Sequence, residues 1–172
     1  MNCDATTTDV EAPATAVSQP GHELALVPIT TADRRLEYCL ALARDNMRPY
    51  LERRGQNFDE TRWRNLAPRA SFFLIAEAGN APQTTLGFLS VREEPDTPMS
   101  LHIGDIQLEL QHRNRGVGRN ALELVETMVR LRGLKEITLN VFRDNPALRL
   151  YERFGFVKID MQFDKFKMRK TL

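Results

Sequence analysis

The sequence predicts an α/β domain built on one mixed sheet, and three observations indicate this fold class. Short segments with alternating apolar residues are interspersed with segments whose apolar residues recur at helical spacing. A basic, glycine-containing turn at residues 113–119 leads from one such strand directly into an amphipathic helix. The chain of 172 residues, 42% hydrophobic and 27% charged, is long enough to bury the core of one domain.

Residues 1–22 predict a disordered tail, because they are rich in Thr, Ala and Pro and lack a periodic apolar pattern. Residues 23–172 form the predicted domain. The sequence contains neither a secretory signal pattern nor an apolar run near the roughly 18 residues of a membrane span. The cysteines, Cys3 and Cys39, form no motif, which favours a reduced, cytoplasmic setting. The net charge of +1 favours neither nucleic acid nor a membrane as partner.

The first half of the domain predicts three strands and two helices. Residues 23–29, 71–78 and 85–94 predict strands, and a loop containing Gly79 and Pro82 joins the second to the third. A helix is predicted over residues 31–47 with Thr31 as its N-cap, and a shorter one over residues 59–67. The predicted buried face of the longer helix is Leu36, Cys39, Leu40 and Ala43.

The strand at residues 100–110 changes its apolar phase. Apolar residues occupy odd positions up to 103 and even positions from 106 to 110. A slip of one residue at Gly104-Asp105 predicts a β-bulge, and the alternative is a strand buried on both faces.

The last segments predict two helices and two or three strands. One helix runs from about Val117 to Gly133, and a short one begins with Asn145 as N-cap and Pro146 at the first helical position, and ends at Gly155. Residues 136–142 predict a strand, and residues 156–168 predict one or two more. The expected buried face of the longer helix is Ala121, Leu124, Val125, Met128 and Leu131.

The turn at residues 113–119 has the features of an anion site. The first backbone N–H groups of the following helix point outward without partners, and the helix dipole adds positive potential. Arg113, Arg115 and Arg119 supply charge suited to phosphate. Gly116 and Gly118 leave room for a close backbone approach, so a pyrophosphate fits the pattern.

Several kinds of phosphate site share this description. A P-loop requires a Lys-Ser/Thr pair that is absent here. Gly116-x-Gly118-x-x-Ala121 matches a dinucleotide fingerprint, but only about 50 residues follow it, too few for the usual domain. A tight turn with solvated arginines and no ligand is also possible.

Two motifs together resemble the GNAT superfamily of N-acyltransferases. Arg113-x-x-Gly116-x-Gly118 is similar to that family's Gln/Arg-x-x-Gly-x-Gly/Ala loop, which binds the pyrophosphate of acyl-CoA. Residues 140–159 are similar to its Asn-x-x-Ala-x-x-x-Tyr-Glu-x-x-Gly-Phe segment, although Ala147 arrives one residue early. The resemblance implies a mostly antiparallel, twisted sheet of six to seven strands, with about four helices and splayed central strands.

The resemblance also implies acetyl-CoA as co-substrate, direct transfer to a primary amine, and no metal. The main chain of Ile106, Gln107 and Leu108 would bind the pantetheine arm as an added strand. Asn145 would reach a pantetheine amide or the loop, a role compatible with capping. The residues expected to cradle the pyrophosphate are Arg113, Asn114, Arg115, Gly116, Val117, Gly118 and Arg119.

The resemblance assigns two catalytic roles. Tyr151 occupies the position of the general acid that protonates the leaving thiolate, although packing in a helical stripe is the alternative. His102 is the expected general base, because its reference pKa near 6.5 suits proton abstraction. Asp105 and Glu109 are alternative bases, and a water chain without a dedicated base is another alternative.

The acceptor is the least determined part of the prediction. Met47, Tyr50 and Trp63 lie in the region that lines the acceptor groove in this family. The acceptor is either a small-molecule amine or a peptide amine, and the sequence does not choose between them. Nearby Glu52, Asp59 or Glu60 would attract a cationic amine. A monomer or homodimer is expected. A CoA-binding regulatory or scaffolding protein is the main alternative function, and a dinucleotide oxidoreductase is the third.

Overall fold

Seven strands and four helices lie within residues 24–79 and 84–172, the parts of the chain that the computed structural model describes. The strands are β1 (Leu24–Ile29), β2 (Ser71–Glu77), β3 (Thr85–Glu93), β4 (Ser100–Leu108), β5 (Glu136–Phe142), β6 (Val157–Gln162) and β7 (Lys165–Thr171). The helices are α1 (Arg35–Glu52), α2 (Glu60–Leu66), α3 (Val117–Leu131) and α4 (Ala147–Arg153). The predicted tail at residues 1–22 lies outside the described residues, as does Pro82 of the predicted loop.

The strands form one sheet in the order β1-β2-β3-β4-β5-β7-β6. Every neighbouring pair is antiparallel except β4 and β5, which run parallel. The parallel pair requires a crossover, and α3 supplies it. The predicted mixed, mostly antiparallel sheet is therefore confirmed.

The start of α1 differs from the prediction. The helix begins at Arg35 rather than near Thr31, because the preceding residues form a turn in which the Asp33 N–H donates to the Thr30 carbonyl at 3.1 Å. The Asp33 carboxylate accepts from the Arg35 N–H at 2.8 Å and takes the capping role expected of Thr31. The helix also continues beyond residue 47, through Pro49.

Helices cover both faces of the sheet. The core beneath α3 and α4 includes Phe73, Leu89 and Ile137, and the core beneath α1 and α2 includes Phe72 and Phe88. Because successive side chains of a strand point to opposite faces, β2 contributes to both cores.

The buried face of α3 is rotated from the predicted one. Leu131 is 66% exposed, and Met128 is only partly buried. At 100° per residue, Leu131 lies about 120° around the helix from the central Val125, which places it outside the stripe that faces the sheet. The buried residues are Ala121, Leu122, Leu124, Val125 and Val129.

The predicted bulge in β4 is present at Gly104. Asp105 pairs with Ser90 on β3 and Ile103 pairs with Val91, so Gly104 has no counterpart. A Cβ at Gly104 would lie 2.8 Å from the Ser90 hydroxyl oxygen, which explains why glycine occupies the bulge.

The bulge lies where the two central strands separate. β4 pairs with β5 only from Ser100–Glu136 to Ile103–Leu139, although β4 continues to Leu108. The predicted splay is therefore confirmed. We call the space between the diverging ends of β4 and β5 the central opening.

Candidate active site

Asp105 and Tyr151 lie on opposite faces of the sheet, and the charge of Asp105 acts on Tyr151. Tyr151, on α4, is buried in the core beneath α3 and α4, and its ring lies edge-on to Phe156 with centroids 5.8 Å apart. Burial raises the pKa of Tyr151 to about 12, and the negative charge of Asp105 adds to the rise. The phenol therefore stays protonated at neutral pH and can donate a proton.

Asp105 lies on the opposite side of the sheet, and two side chains donate hydrogen bonds to it. The Ser90 hydroxyl donates to one carboxylate oxygen at 2.9 Å, and the Gln107 amide donates to the other at 3.3 Å. Burial raises the pKa of Asp105, and hydrogen bonds from Ser90, Gln107 and the Trp63 indole oppose the rise. A carboxylate with a raised pKa is a better proton acceptor than an exposed one.

The bulge places His102 and Asp105 on the same face. His102 pairs with Arg92 and Asp105 with Ser90, so both point to the side that α1 and α2 cover. In a regular strand without a bulge, side chains three positions apart, such as those of residues 102 and 105, point to opposite faces.

His102 nevertheless lies behind the central opening, where β4 and β5 are still paired. It is 3% exposed, and its Nδ1 lies 2.9 Å from the Thr138 hydroxyl and 3.7 Å from Glu94. Burial lowers the pKa of His102 to about 4; the positive charge of Arg92 adds to this effect and Glu94 opposes it. His102 is enclosed where β4 and β5 are still paired, whereas Asp105 lies where the strands separate, so the geometry favours Asp105 over His102 as the group that faces an acceptor.

The start of α3 presents unpaired N–H groups. Gly116, with φ of 83°, precedes the helix and provides no side-chain cap. The first helical hydrogen bond runs from the Asn120 N–H to the Gly116 carbonyl at 3.0 Å, so the N–H groups of residues 117–119 have no helical acceptor. Asn114 also has a positive φ, 58°, and shapes the preceding turn. Together with exposed Arg115, this end of α3 can bind an anion.

The Arg113 side chain makes hydrogen bonds to other residues of the protein. Its guanidinium donates to the Leu108 carbonyl at 3.1 and 3.2 Å and to the Asn46 side-chain oxygen at 2.5 Å. Asn46 in turn donates to the Leu108 carbonyl at 3.2 Å. Arg113 therefore braces the end of β4 against α1.

Gly118 and Arg119 also make internal contacts. A Cβ at Gly118 would lie 3.0 Å from Leu150 on α4, so the glycine lets two helices approach closely. Arg119 pairs with Glu123 at 3.0 Å on the exposed surface of α3. Neither contact blocks the N–H groups at the helix start.

Asn145 caps α4. Its side-chain oxygen accepts from the Ala147 N–H at 2.9 Å, and the helix begins at Ala147, so Pro146 precedes the first helical residue rather than occupying it. The cap leaves the side-chain amide N–H groups of Asn145 available for the predicted ligand contact.

The three predicted acceptor residues lie on the α1–α2 side of the sheet. Tyr50 stacks on Phe142 with centroids 6.0 Å apart, Trp63 packs on Phe72 at 5.3 Å, and Met47 is half-buried. Trp63 also lowers the pKa of Asp105, so it lies near this carboxylate.

Two of the three acidic residues predicted to attract an amine, Asp59 and Glu60, make local contacts instead. Asp59 caps α2 by accepting from the Arg62 N–H at 2.8 Å, and Glu60 pairs with Arg64 at 3.0 Å.

The sequence did not indicate Ser90 and Lys165 as site residues, because the pairing of strands brings them to the site and no local motif marks them.

No helix in the described residues is long and apolar enough to cross a membrane. Across the same two ranges, no group of three or more His, Cys, Asp and Glu residues could hold a metal ion.

Comparison with known proteins identifies relatives of this chain. Residues 38–156 match the model of the Acetyltransferase (GNAT) family. Over 105 residues the chain is 29% identical to N-acetyltransferase 8B of Rattus norvegicus, a match that covers 60% of this chain and 47% of the relative. Over 82 residues it is 32% identical to the uncharacterized N-acetyltransferase YycN of Bacillus subtilis, covering 46% and 53%. The aligned part thus spans about half the length of these curated relatives.

Solved structures share the fold at low identity. The PaiA N-acetyltransferase of Thermoplasma acidophilum, crystallised in complex with coenzyme A, superimposes with a TM-score of 0.64 at 16% identity over 87% of this chain and 99% of that one. A domain from Methanocaldococcus jannaschii superimposes with a TM-score of 0.70 at 20% identity over 88% and 99%. With a family model that matches well over half of the sequence, the chain belongs to the GNAT acetyltransferase family.

Proposed function

We propose that the protein is an N-acetyltransferase that transfers the acetyl group of acetyl-CoA directly to a primary amine. The central opening is the observation that carries this proposal. An uncapped helix start follows the end of β4, Asp105 lies on the unpaired part of β4, and the charge of Asp105 acts on the buried Tyr151. The coenzyme A bound to the PaiA relative supports the choice of donor.

The donor would lie along the unpaired end of β4. The main chain of Ile106, Gln107 and Leu108 takes no partner from β5, so an extended pantetheine arm can add to it as a strand does. The pyrophosphate would accept hydrogen bonds from the N–H groups of residues 117–119 near Arg115. Arg113 would act by fixing Leu108, and Asn145 by donating to a pantetheine amide.

The reaction needs one base and one acid. Asp105, directly or through water, takes a proton from the acceptor ammonium, and the amine lone pair attacks the thioester carbonyl carbon. A backbone N–H of the bulged strand stabilises the oxyanion that forms. The carbon–sulfur bond then breaks, and the Tyr151 hydroxyl gives its proton to the leaving thiolate. The nitrogen releases its second proton to solvent as it becomes an amide. The products are an acetamide, CoA with a free thiol and one released proton, and solvent transfers the proton on Asp105 to the Tyr151 phenolate.

Binding and turnover test the proposal separately. Calorimetric titration of the full chain should show binding of CoA and acetyl-CoA and no binding of NADH. Initial rates of thiol release should then rise above the background hydrolysis of acetyl-CoA when a suitable primary amine is added. Tight CoA binding without acceleration by any amine would identify a regulatory CoA-binding protein instead, and NADH binding would favour a dinucleotide enzyme.

A matched pair of arginine variants tests the anion site. Arg115→Gln should weaken CoA binding about tenfold, because a charged contact to phosphate is lost. Arg130→Gln makes the same change near the other end of α3, about 20 Å away, and should leave CoA affinity within twofold. Equal affinities in the two variants would contradict the placement of the pyrophosphate.

A further inference from the structure

We propose that the acceptor carries a carboxylate close to its amine, as an amino acid does, and that Lys165 and Arg62 bind this carboxylate. The inference rests on the proposed function and names the substrate class of the same site. It follows from the arrangement of charge on the sheet face that α1 and α2 cover.

Pairing registers place Lys165 on the same sheet face as Asp105. Lys165 pairs with Phe142 on β5, and along β5 the side chain of Thr138 points to the same face as that of Phe142. Thr138 pairs with His102 on β4, and the bulge brings His102 and Asp105 to one face. The Asp105 carboxylate and the Lys165 ammonium, which come from distant segments of the chain, therefore lie on the same face of the sheet. We call the region of this face between them the groove.

The Lys165 ammonium has no carboxylate partner in the part of the chain that the structure describes. It lies 4.4 Å from the centre of the Phe142 ring, and none of the ion pairs within the described residues includes it. Burial lowers the pKa of Lys165, and the positive charges of Arg62 and Arg54 lower it further, whereas the charge of Asp105 raises it. Lys165 is thus a half-buried cation whose neighbours are mainly cations.

Arg54 differs from Lys165 in this respect. Its guanidinium donates to Asp144 at 2.9 Å and also contacts Asp164, so two carboxylates neutralise it. Arg62 resembles Lys165, because its guanidinium has no hydrogen-bond or ion-pair partner among the residues described. Within the described ranges, Lys165 and Arg62 therefore lack counter-ions, whereas the nearby Arg54 has two.

This distribution selects between classes of amine. An acceptor with an ammonium at one end and a carboxylate at the other would place its ammonium toward Asp105 and its carboxylate toward Lys165 and Arg62. A polyamine would bring a second positive charge toward the same two cations and be repelled. The aromatic wall of Tyr50 and Trp63 would contact the rest of the acceptor.

Matched acceptor pairs test the inference. Initial rates of thiol release from acetyl-CoA are measured with the full chain, using the standard amino acids, their carboxamides, and spermidine. For the best amino acid, kcat/KM should exceed that of its carboxamide at least tenfold, and spermidine should react more slowly than either. Lys165→Gln should raise KM for the amino acid about tenfold, leave the carboxamide within twofold, and so remove the discrimination.

Two further variants keep the test decisive. Lys135→Gln makes the same change at the opposite end of β5, roughly 20 Å away, and should leave the discrimination intact. Arg62→Gln alters an exposed residue of α2 and should weaken the preference for carboxylate, which provides a second measurement if Lys165→Gln folds poorly. CoA affinity serves as the control for folding of each variant.

The outcomes separate the two proposals. Equal kcat/KM for amino acids and carboxamides, a preference for spermidine, or an equal loss on both substrates in Lys165→Gln would overturn the inference while leaving an active acetyltransferase. CoA binding without acetylation of any amine would overturn the proposed function, and the inference would fall with it.

Discussion

Protonation of His102 should destabilise the protein as the pH falls below about 6.5, because the buried imidazole is neutral in the folded state. Burial lowers the pKa of His102 to about 4, whereas an unfolded histidine has a pKa of about 6.5. Between these values the unfolded chain binds more protons than the folded one. The contribution of neutral His102 to the free energy of unfolding is therefore fully present above about pH 6.5 and is lost as the pH falls toward 4.

The size of the effect follows from the two pKa values. When His102 is fully protonated, the difference between its folded and unfolded pKa values lowers the free energy of unfolding by roughly 3 kcal/mol. At pH 5 the free energy of unfolding has already fallen by about 2 kcal/mol. Most carboxylates with ordinary pKa values stay ionised at pH 5, so this pH isolates the histidine better than a lower one. The side chain is almost fully buried, and solvent screening should reduce the effect little.

Urea unfolding at pH 8 and pH 5 measures this contribution. His102→Gln keeps a polar group beside the Thr138 hydroxyl but cannot gain a proton. The wild type should lose about 2 kcal/mol more unfolding free energy between the two pH values than this variant does. His112→Gln, a change outside the core, should keep the wild-type pH dependence.

Two results would refute this reasoning. One is an identical pH dependence of stability in the wild type and His102→Gln, and the other is an NMR titration of His102 near pH 6.5. Either would return His102 to consideration as the catalytic base. If the reasoning is right, the pH–rate profile should contain no limb near 6.5 that disappears in His102→Gln.

The remaining predictions concern the central opening. Tyr151→Phe should lower kcat by roughly a hundredfold or more and leave CoA affinity within twofold, because the lost hydroxyl acts in the transition state. Asp105→Asn should lower kcat about as much with unchanged CoA affinity, and a variant with wild-type kcat would exclude Asp105 as base. Gly104→Ala should cost about 1–3 kcal/mol of unfolding free energy in urea, because its Cβ would meet the Ser90 hydroxyl at 2.8 Å. A stability equal to the wild type would contradict the close contact.

Local signals in the sequence predicted most of the elements. The strand at residues 136–142 was predicted with the bounds that β5 has, and the slip of apolar phase located the bulge at Gly104. Both succeed because the alternation of side chains along a strand is set over a few residues. The N-cap of α1 was wrong, since Thr31 and Asp33 are both acceptable caps and only the folded turn selects between them.

By itself, the sequence determined the fold class, the family resemblance and the position of the turn that we propose binds phosphate, because each depends on residues close together in the chain. The tertiary structure decided which titratable groups face the central opening. Asp105 enters it because a bulge changes its face, and His102 is removed from it because β4 and β5 still pair there. Lys165 joins Asp105 from a strand that lies 60 residues further along the chain. The pKa values and charge balance of the site depend on such distant neighbours and on burial, and only the pairing of the strands brings these neighbours together.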